Sequence, residues 1–388
     1  MDRSEQILLK AIQRSLWNTE VDLPSDTDWD EVLTESQKQT VLGIAIEAAP
    51  DDEKKKWKSR TSAGMAHFVR ILHYQERLCK LLKANDIPAA ILKGTAAAVY
   101  YPDPYKRTMG DIDFIVPPER FDKTLELLLD NGYAVDEEED NRRHVHLHAD
   151  GVFFELHRFY SLDDFDIDPY IFAALDRLQT ASVSETEFSM LPRLENGLVL
   201  LTHVLQHFRT GIGLRQIIDW MMYADRELDG LYWEQTFKPV LEKQGLTSFA
   251  VHLTRMCQLY LGLTESISWC GDADEKICGE LMDEVMLSGN FGKKNSQGKR
   301  FEDIFTNFRR EGTFRYLQRA GEYNWAAYHK HKWLKPFAWM YQIGRYTGQV
   351  LKSRRKAGEI REDYENGRRR SLLVKKLEIG KEQDRPTK

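Results

Sequence analysis

The sequence predicts an α+β fold that is mostly helical, with one small sheet core flanked by N- and C-terminal helical regions. Three observations carry that expectation. The stretch ILKGTAAAVYYPDPYKRTMGDIDFIV, residues 91–116, reads as strand, turn, short helix, loop and strand. The stretch HVHLHADGVFFELH, residues 144–157, reads as two alternating runs around an Asp-Gly turn, a strong hairpin signal. Before about residue 86 and after about 161, apolar residues recur near the helical period.

In order along the chain, residues 1–86 form a helical N-terminal region. SEQILLKAIQRSLW offers Ser4 as an N-cap, and DWDEVLTESQKQTVLGIAIEAA and GMAHFVRILHYQERLCKLLKAN continue the helical spacing. The lysines and arginine of EKKKWKSR, residues 53–60, read as a solvated helix face. The sheet core spans 87–160. It includes a helix over PERFDKTLELLLDNGY and a strand from Tyr133, followed by an acidic loop, DEEED, at 136–140. A helical domain over 161–290 follows, with TASVSETEFSM as a short connection before an apolar helix. Residues 291–388 comprise a Gly-, Asn- and Lys-rich loop, helical segments and a basic C-terminal tail.

Composition bounds the function. The chain has 388 residues, 42% of them hydrophobic and 30% charged, which is ordinary for a globular protein. No apolar run is long enough for a membrane-spanning helix. The N-terminus MDRSEQILLKAIQ has no signal-peptide pattern. Four scattered cysteines lack zinc-site spacing, so the expected location is the cytoplasm, with reduced thiols. The net charge of −6 is unevenly spread. From Tyr328 to Lys388 there are seventeen Lys or Arg against seven acids, so the tail's +10 leaves about −16 on the rest.

The chemistry concentrates in the core. Residues i and i+2 of a strand point the same way, so Asp111 and Asp113 share a face, about 7 Å apart. Such a pair suits Mg²⁺, which takes one or two carboxylates and completes its shell with phosphate oxygens and water. Upstream, Gly94 and Thr95 at a strand-to-helix turn offer backbone N–H groups and a hydroxyl of the kind that cradle phosphate. In the hairpin, Asp150 and Gly151 form the turn. Ala149 then pairs with Val152, His148 with Phe153, His146 with Glu155, and His144 with His157. The last three pairs share one face, and Val145, Leu147, Phe154 and Leu156 line the other. Three alternating histidines on one strand are poorly arranged to converge on a tetrahedral zinc ion. His203 and His207 are four apart on a helix; without an HExxH pattern the expectation is a packed or hydrogen-bonded pair. Asp219 could cap the helix, pair with Arg215 four residues back, or reach the substrate cleft, and a structural role is the expectation.

These motifs together resemble the polymerase-beta-type nucleotidyltransferase superfamily, whose pattern is a hydrophobic strand, Gly-Ser or Gly-Gly, a short helix and Asp-x-Asp. The wording LKGTAAAVYYPDPYKRTMGDIDFIV is similar to a bacterial family described only as nucleotidyltransferase-like, with Lys-Gly before the helix and Arg shortly before Asp-Ile-Asp. FELH resembles that family's acid-Leu-His, and H…LRQIIDW resembles its helical domain. The resemblance covers roughly 60–260. Thr95 stands where Ser or Gly is usual, the loop before Asp111 is longer than common, and Glu155 replaces the commoner Asp.

The resemblance implies a polymerase-beta-like sheet core and transfer of a nucleoside monophosphate from a triphosphate such as ATP to an unidentified small-molecule, glycan or protein acceptor. Asp111, Asp113 and Glu155 would hold two Mg²⁺ ions, with Mn²⁺ as the substitute. Lys93, Gly94, Thr95 and Arg107 would bind the triphosphate, and His146 and His157 would support Glu155. Two alternatives stay open. The Lys-Gly-Thr turn also resembles toxin nucleotidyltransferases acting on RNA, and a non-catalytic binding protein could retain the fold. The tail mixes aromatics with basic residues, which suits RNA, an anionic glycan or a membrane surface, docking on the acidic body of its own or a neighbouring subunit, or simply a solvated helix with a frayed end.

Overall fold

Strand and turn chemistry build the centre of the molecule, and helices close around it. This computed structural model describes residues 1–136, 143–161, 165–289, 312–353 and 357–379. Most of the DEEED run and of the loop from 288 to 300 lies outside those residues. The N-terminal helices are α1 (Arg3–Trp17), α2 (Trp29–Lys38), α3 (Leu42–Ala45) and α4 (Asp51–Ala84). Asp2, rather than Ser4, caps α1. Its carboxylate accepts from the Glu5 N–H while the Glu5 carboxylate accepts from the Asp2 N–H, a capping box.

The sheet begins with β1 (Ala90–Leu92), runs into α5 (Gly94–Ala98), and returns as β2 (Ile112–Ile115). After α6 (Phe121–Asp130) come β3 (Ala134–Val135), β4 (His144–Ala149) and β5 (Val152–His157). Then follow α7 (Asp168–Ala174), β6 (Gln179–Val183) and β7 (Thr186–Met190). The seven strands are ordered β3-β4-β5-β2-β1-β7-β6. Asp113 of β2 lies opposite Leu92 of antiparallel β1 on one side and Glu155 of parallel β5 on the other.

The β4–β5 hairpin has the register read from its Asp-Gly turn, His144↔His157 through Ala149↔Val152. Asp150 and Gly151 adopt φ of 49° and 72°, the left-handed pair that a type I′ turn requires. Leu147, Phe154 and Leu156 are fully buried behind it. Helix α4 pins the turn: the Arg70 guanidinium donates to the Asp150 carbonyl, and the Tyr74 hydroxyl donates to the Asp150 carboxylate at 2.9 Å.

The stretch expected to be a short connection, TASVSETEFSM, is instead a hairpin that adds two strands to the sheet. Its turn uses Ser184 at φ 54° followed by Glu185, with none of the Gly or Asn that normally announce such a turn.

The remaining helices are α8 (Arg193–Thr210), α9 (Leu214–Glu227), α10 (Gly230–Tyr232), α11 (Lys238–Gln244), α12 (Thr247–Leu261) and α13 (Glu275–Ser288). Then come α14 (Thr313–Asn324), α15 (Ala326–Lys330), α16 (Ala338–Ser353) and α17 (Ala357–Lys376). Among the described residues one apolar cluster joins the N-terminal helices, the sheet, α8 to α13 and the end of α17. Part of the basic tail is held by the acidic body. Arg369 and Arg370 both bind the carboxylate of buried Glu284, and Lys376 binds Glu280. Among the described residues, no helix is long and apolar enough to cross a membrane.

Candidate active site

The site has two walls, one of strands and one of helices. On the strand wall, Asp113 is almost fully buried at the centre of the sheet, while Asp111, just ahead of β2, is more open to solvent. Lys93 follows β1 at φ 49° and ψ −134°, a conformation that costs a non-glycine residue about 1–3 kcal/mol. That turn brings its Nζ to 2.7 Å from Asp113 Oδ1. His157 Nε2 reaches the same oxygen at 2.9 Å and Glu155 Oε2 at 3.4 Å. Burial works against the Lys93 charge, but Asp113 together with Tyr160, Glu155 and Asp111 outweighs it and holds the ammonium above the usual lysine value. Burial likewise opposes the His157 charge, yet its hydrogen bonds to Asp113 and Glu155 raise its pKa. Burial pushes Glu155 up, but the His157 hydrogen bond and Lys93 bring it down to about 2, so it is ionised at neutral pH.

The donor atoms of Asp111, Asp113 and Glu155 all lie within 4.8 Å of one another, a spacing at which three carboxylates can share a divalent cation. Hard oxygen donors of this kind fit a divalent cation such as Mg²⁺. His144, Glu155 and His157 form a second such group. His146 Nδ1 stands 3.6 Å from Glu155 Oε1, and His144 Nε2 faces His146 Nε2 at 2.9 Å. Burial lowers His144 to about 4, keeping it neutral at pH 7. His148 pairs with Phe153 further along the strand and joins neither group.

The helical wall comes from α8 and α9. His203 and His207 lie with ring centroids 4.6 Å apart, edge to face, and both are buried. Burial drives His203 well below the usual histidine value and His207 down to about 3, so both are neutral at pH 7. Asp219 pairs not with Arg215 but with Arg107. The Arg107 Nε and Nη2 each donate to an Asp219 oxygen at 2.7 Å, and Tyr101 adds its hydroxyl at 2.7 Å. Arg107 is only 3% exposed, and its guanidinium is committed to this lock. Arg215 is half-buried instead, with its Nη1 donating to the Thr108 carbonyl at 3.3 Å. Burial and the neighbouring Arg107 charge lower the Arg215 pKa.

Both walls line one cleft of about 140 Å³, into which Lys93, Gly94, Arg107, Asp111, Asp113, His144 and Glu155 face from one side. His203, Gln206, His207 and Arg215 face them from the helices. A larger open groove, about 690 Å³, runs between the end of α4 and β6–β7, away from these carboxylates. Thr95 is the one expected phosphate ligand outside the cleft lining. Its side chain is fully buried and donates to Gln75 Oε1 of α4 at 2.6 Å, leaving only backbone at that position. Arg215 was not foreseen as a site residue, and the histidine pair was expected only to pack. The signal available in sequence was His203 and His207 on one helix face, with Arg215 opening the next helix.

A sequence profile for an uncharacterised nucleotidyltransferase family matches residues 25–262, more than half of the chain. The chain belongs to this family. Every residue of the cleft, from Lys93 to Arg215, falls inside the matched stretch, and the basic tail falls outside it. No curated protein matches the sequence. A solved structure, that of an antigenic nucleotidyltransferase-like protein from Paracoccidioides brasiliensis, is 13% identical with a TM-score of 0.33. The match covers 51% of this chain and 96% of that one. Membership of a nucleotidyltransferase family supports nucleotidyl transfer as the general chemistry of the cleft.

Proposed function

We propose that the protein transfers a nucleoside monophosphate from a nucleoside triphosphate, ATP among them, to an acceptor hydroxyl or phosphate on a small molecule, glycan or protein. A bond forms between the acceptor oxygen and the α-phosphorus, the bond from the α-phosphorus to the bridging oxygen breaks, and pyrophosphate leaves. The observation that carries this reading is the convergence of Asp111, Asp113 and Glu155 in a cleft that also contains Lys93 and Arg215.

In this reading the three carboxylates hold Mg²⁺, as two ions, with Mn²⁺ as a substitute. A divalent cation there supplies Lewis-acid polarisation of the α-phosphate and neutralises charge on the departing pyrophosphate. The residues do the positioning, which is most of what phosphoryl chemistry asks of a protein. Lys93, now bound to Asp113, supplies positive charge beside the carboxylates. The backbone at Gly94 and Thr95 approaches the phosphates, and the Thr95 hydroxyl serves the fold through Gln75. Arg215 takes the triphosphate contact expected of Arg107, because Arg107 has its Nε–Nη2 edge on Asp219 and its Nη1 on the Thr108 carbonyl and the Met109 sulfur. Arg107 acts through Asp219, fixing α9 and so Arg215. His157 and His146 hold Glu155 in place. The proton that an acceptor hydroxyl gives up leaves to solvent, and the buried rings of His203 and His207, which resist protonation, face the substrate across the cleft as neutral hydrogen-bonding groups.

The test is label transfer from each nucleoside triphosphate, labelled at the α-phosphate, into small-molecule, protein and RNA fractions, with wild type and Asp111→Asn. Mg²⁺-dependent labelling with pyrophosphate release, lost in the variant, is the expected result. Triphosphate binding with no transfer to any fraction would favour the non-catalytic reading. Label confined to RNA would favour the toxin-like one, and no binding at all would end the proposal.

A further inference from the structure

The helices from α14 to α16 stand apart from the rest of the molecule. None of their buried residues joins the main apolar cluster, and they pack on each other. Gly321 of α14 lies so close to the Ala338 carbonyl that a Cβ there has no room. The Trp325 and Tyr341 rings stack with centroids 5.1 Å apart, and the Tyr316 and Tyr346 hydroxyls meet at 3.1 Å. This packing fixes which side of α16 faces inward. Ala338 and Gln342 are fully buried. At 3.6 residues per turn, Phe337, Met340 and Ile343 lie on the far side of the helix. They are 48%, 53% and 42% exposed, and Trp333 just ahead of them is 71% exposed.

The sequence that carries this apolar face is charged with one sign. Between Glu322 and Glu359 the chain has eight Lys or Arg and no acid. Lys332 and Lys335, both exposed, flank Trp333; among the described residues Lys335 has Glu322 at 3.8 Å, and Lys332 lies over the Tyr328 ring at 4.4 Å.

We propose that this face docks on an anionic lipid surface, with Trp333, Phe337, Met340 and Ile343 entering the headgroup boundary and Lys332 and Lys335 meeting lipid phosphates and carboxylates. Stable attachment of a helix lying on a membrane takes an apolar face and basic flanks together, and this segment supplies both. Trp belongs at such an interface because one end of its ring is apolar and the other donates a hydrogen bond. RNA is the poorer fit, because Met and Ile offer no flat ring for a base to stack on. The acidic remainder of the chain is repelled by the same surface, which turns the basic face toward it. The proposal does not depend on the nucleotidyl-transfer reading, since none of these residues lines the cleft.

The experiment is co-sedimentation of the full chain with vesicles of phosphatidylcholine alone, and with about a third of the lipid replaced by phosphatidylserine. Two variants accompany wild type: Trp333→Ala with Phe337→Ala, and Lys332→Glu with Lys335→Glu. All four positions are solvent-exposed, so circular dichroism and melting temperature are expected to match wild type. The expected result is binding to the anionic vesicles alone, weakening as salt rises. Both variants should lose it by tenfold or more, since each basic residue near such a surface is worth roughly fivefold. No binding at physiological salt would overturn the proposal, as would binding that both variants retain. So would a self-association, or an RNA affinity, that the same variants abolish while vesicle binding is absent.

Discussion

The strand wall and the helical wall of the cleft handle charge in opposite ways. On the strands, Lys93, Asp113, His157 and Glu155 form a continuous chain of contacts between 2.7 and 3.4 Å, in which each charge stabilises the next. At the helical wall, Asp219 and Arg107, a guanidinium from the loop before β2, spend their charges on each other, and the histidines beside them are neutral. The strand wall is therefore suited to hold a cation and the phosphates bound to it. The helical wall is suited to stay fixed and present Arg215 and two neutral rings to whatever sits between. What a buried charge does depends on whether its partner leaves any of it available.

Breaking the helical lock should have the largest effect. Arg107→Ala strands the Asp219 carboxylate in the interior and is expected to cost about 3–5 kcal/mol in urea unfolding. Replacing both partners, Arg107→Met with Asp219→Leu, should recover much of that loss, because no charge is then left buried alone. Equal destabilisation in the double variant would contradict the pairing. Arg215→Ala sharpens the same contrast. It should leave stability within about 1 kcal/mol, as it removes a half-buried group with one long hydrogen bond. Triphosphate affinity should weaken by about ten- to a hundredfold, the value of a charge-assisted hydrogen bond. An unchanged dissociation constant would return the phosphate role to Arg107.

The neutral histidines predict a pH dependence. His207 is held at about 3 in the folded protein, against an ordinary value of 6.5. The unfolded chain therefore binds the proton first, and stability present above pH 6.5 is lost as pH falls toward 3. At pH 5 that loss is about 2 kcal/mol, while Glu155, held near 2 against an ordinary 4.5, is still ionised in both states. Urea midpoints at pH 7 and pH 5 should show a smaller drop for His207→Gln than for wild type. An identical drop would mean that the ring is charged in the fold. The smallest effect is expected from Thr95→Val, which removes the hydrogen bond to Gln75 and should cost about 1 kcal/mol without changing triphosphate affinity. A large affinity loss there would restore the hydroxyl as a phosphate ligand.

The strand wall was legible in sequence, and the helical wall was not, for physical reasons. Alternation with period two and an Asp-Gly turn fix the hairpin register and the face that Glu155 shares with His146, whereas its place beside Asp113 is a parallel pairing that only the family resemblance implies. The fold class follows too, since helical periodicity dominates on both sides of the core. The Arg107–Asp219 pair joins residues 112 apart in the chain, and no local pattern encodes it. Arg215 is the local candidate partner for Asp219 because i,i+4 neighbours on a helix usually meet, but a better-placed guanidinium from another element won. The β6–β7 hairpin escaped because Ser-Glu is an uncommon turn, stabilised here by packing on β1. The direction of Thr95 was missed because a turn into a five-residue helix does not say which way its first side chains point.

The most direct test of the two-wall account is the melting-temperature shift with ATP, CTP, GTP and UTP, with and without Mg²⁺, on wild type and Asp111→Asn. Asp111 is the carboxylate to change because it takes no part in the Lys93–Asp113–His157 contacts, so the substitution leaves them intact. A ligand at 100 times its dissociation constant stabilises the fold by about 2.7 kcal/mol, a shift of several degrees. The account predicts such a shift with at least one nucleotide, dependent on Mg²⁺ and lost in Asp111→Asn. A shift that needs no Mg²⁺ or survives in the variant, or no shift with any of the four, would contradict it.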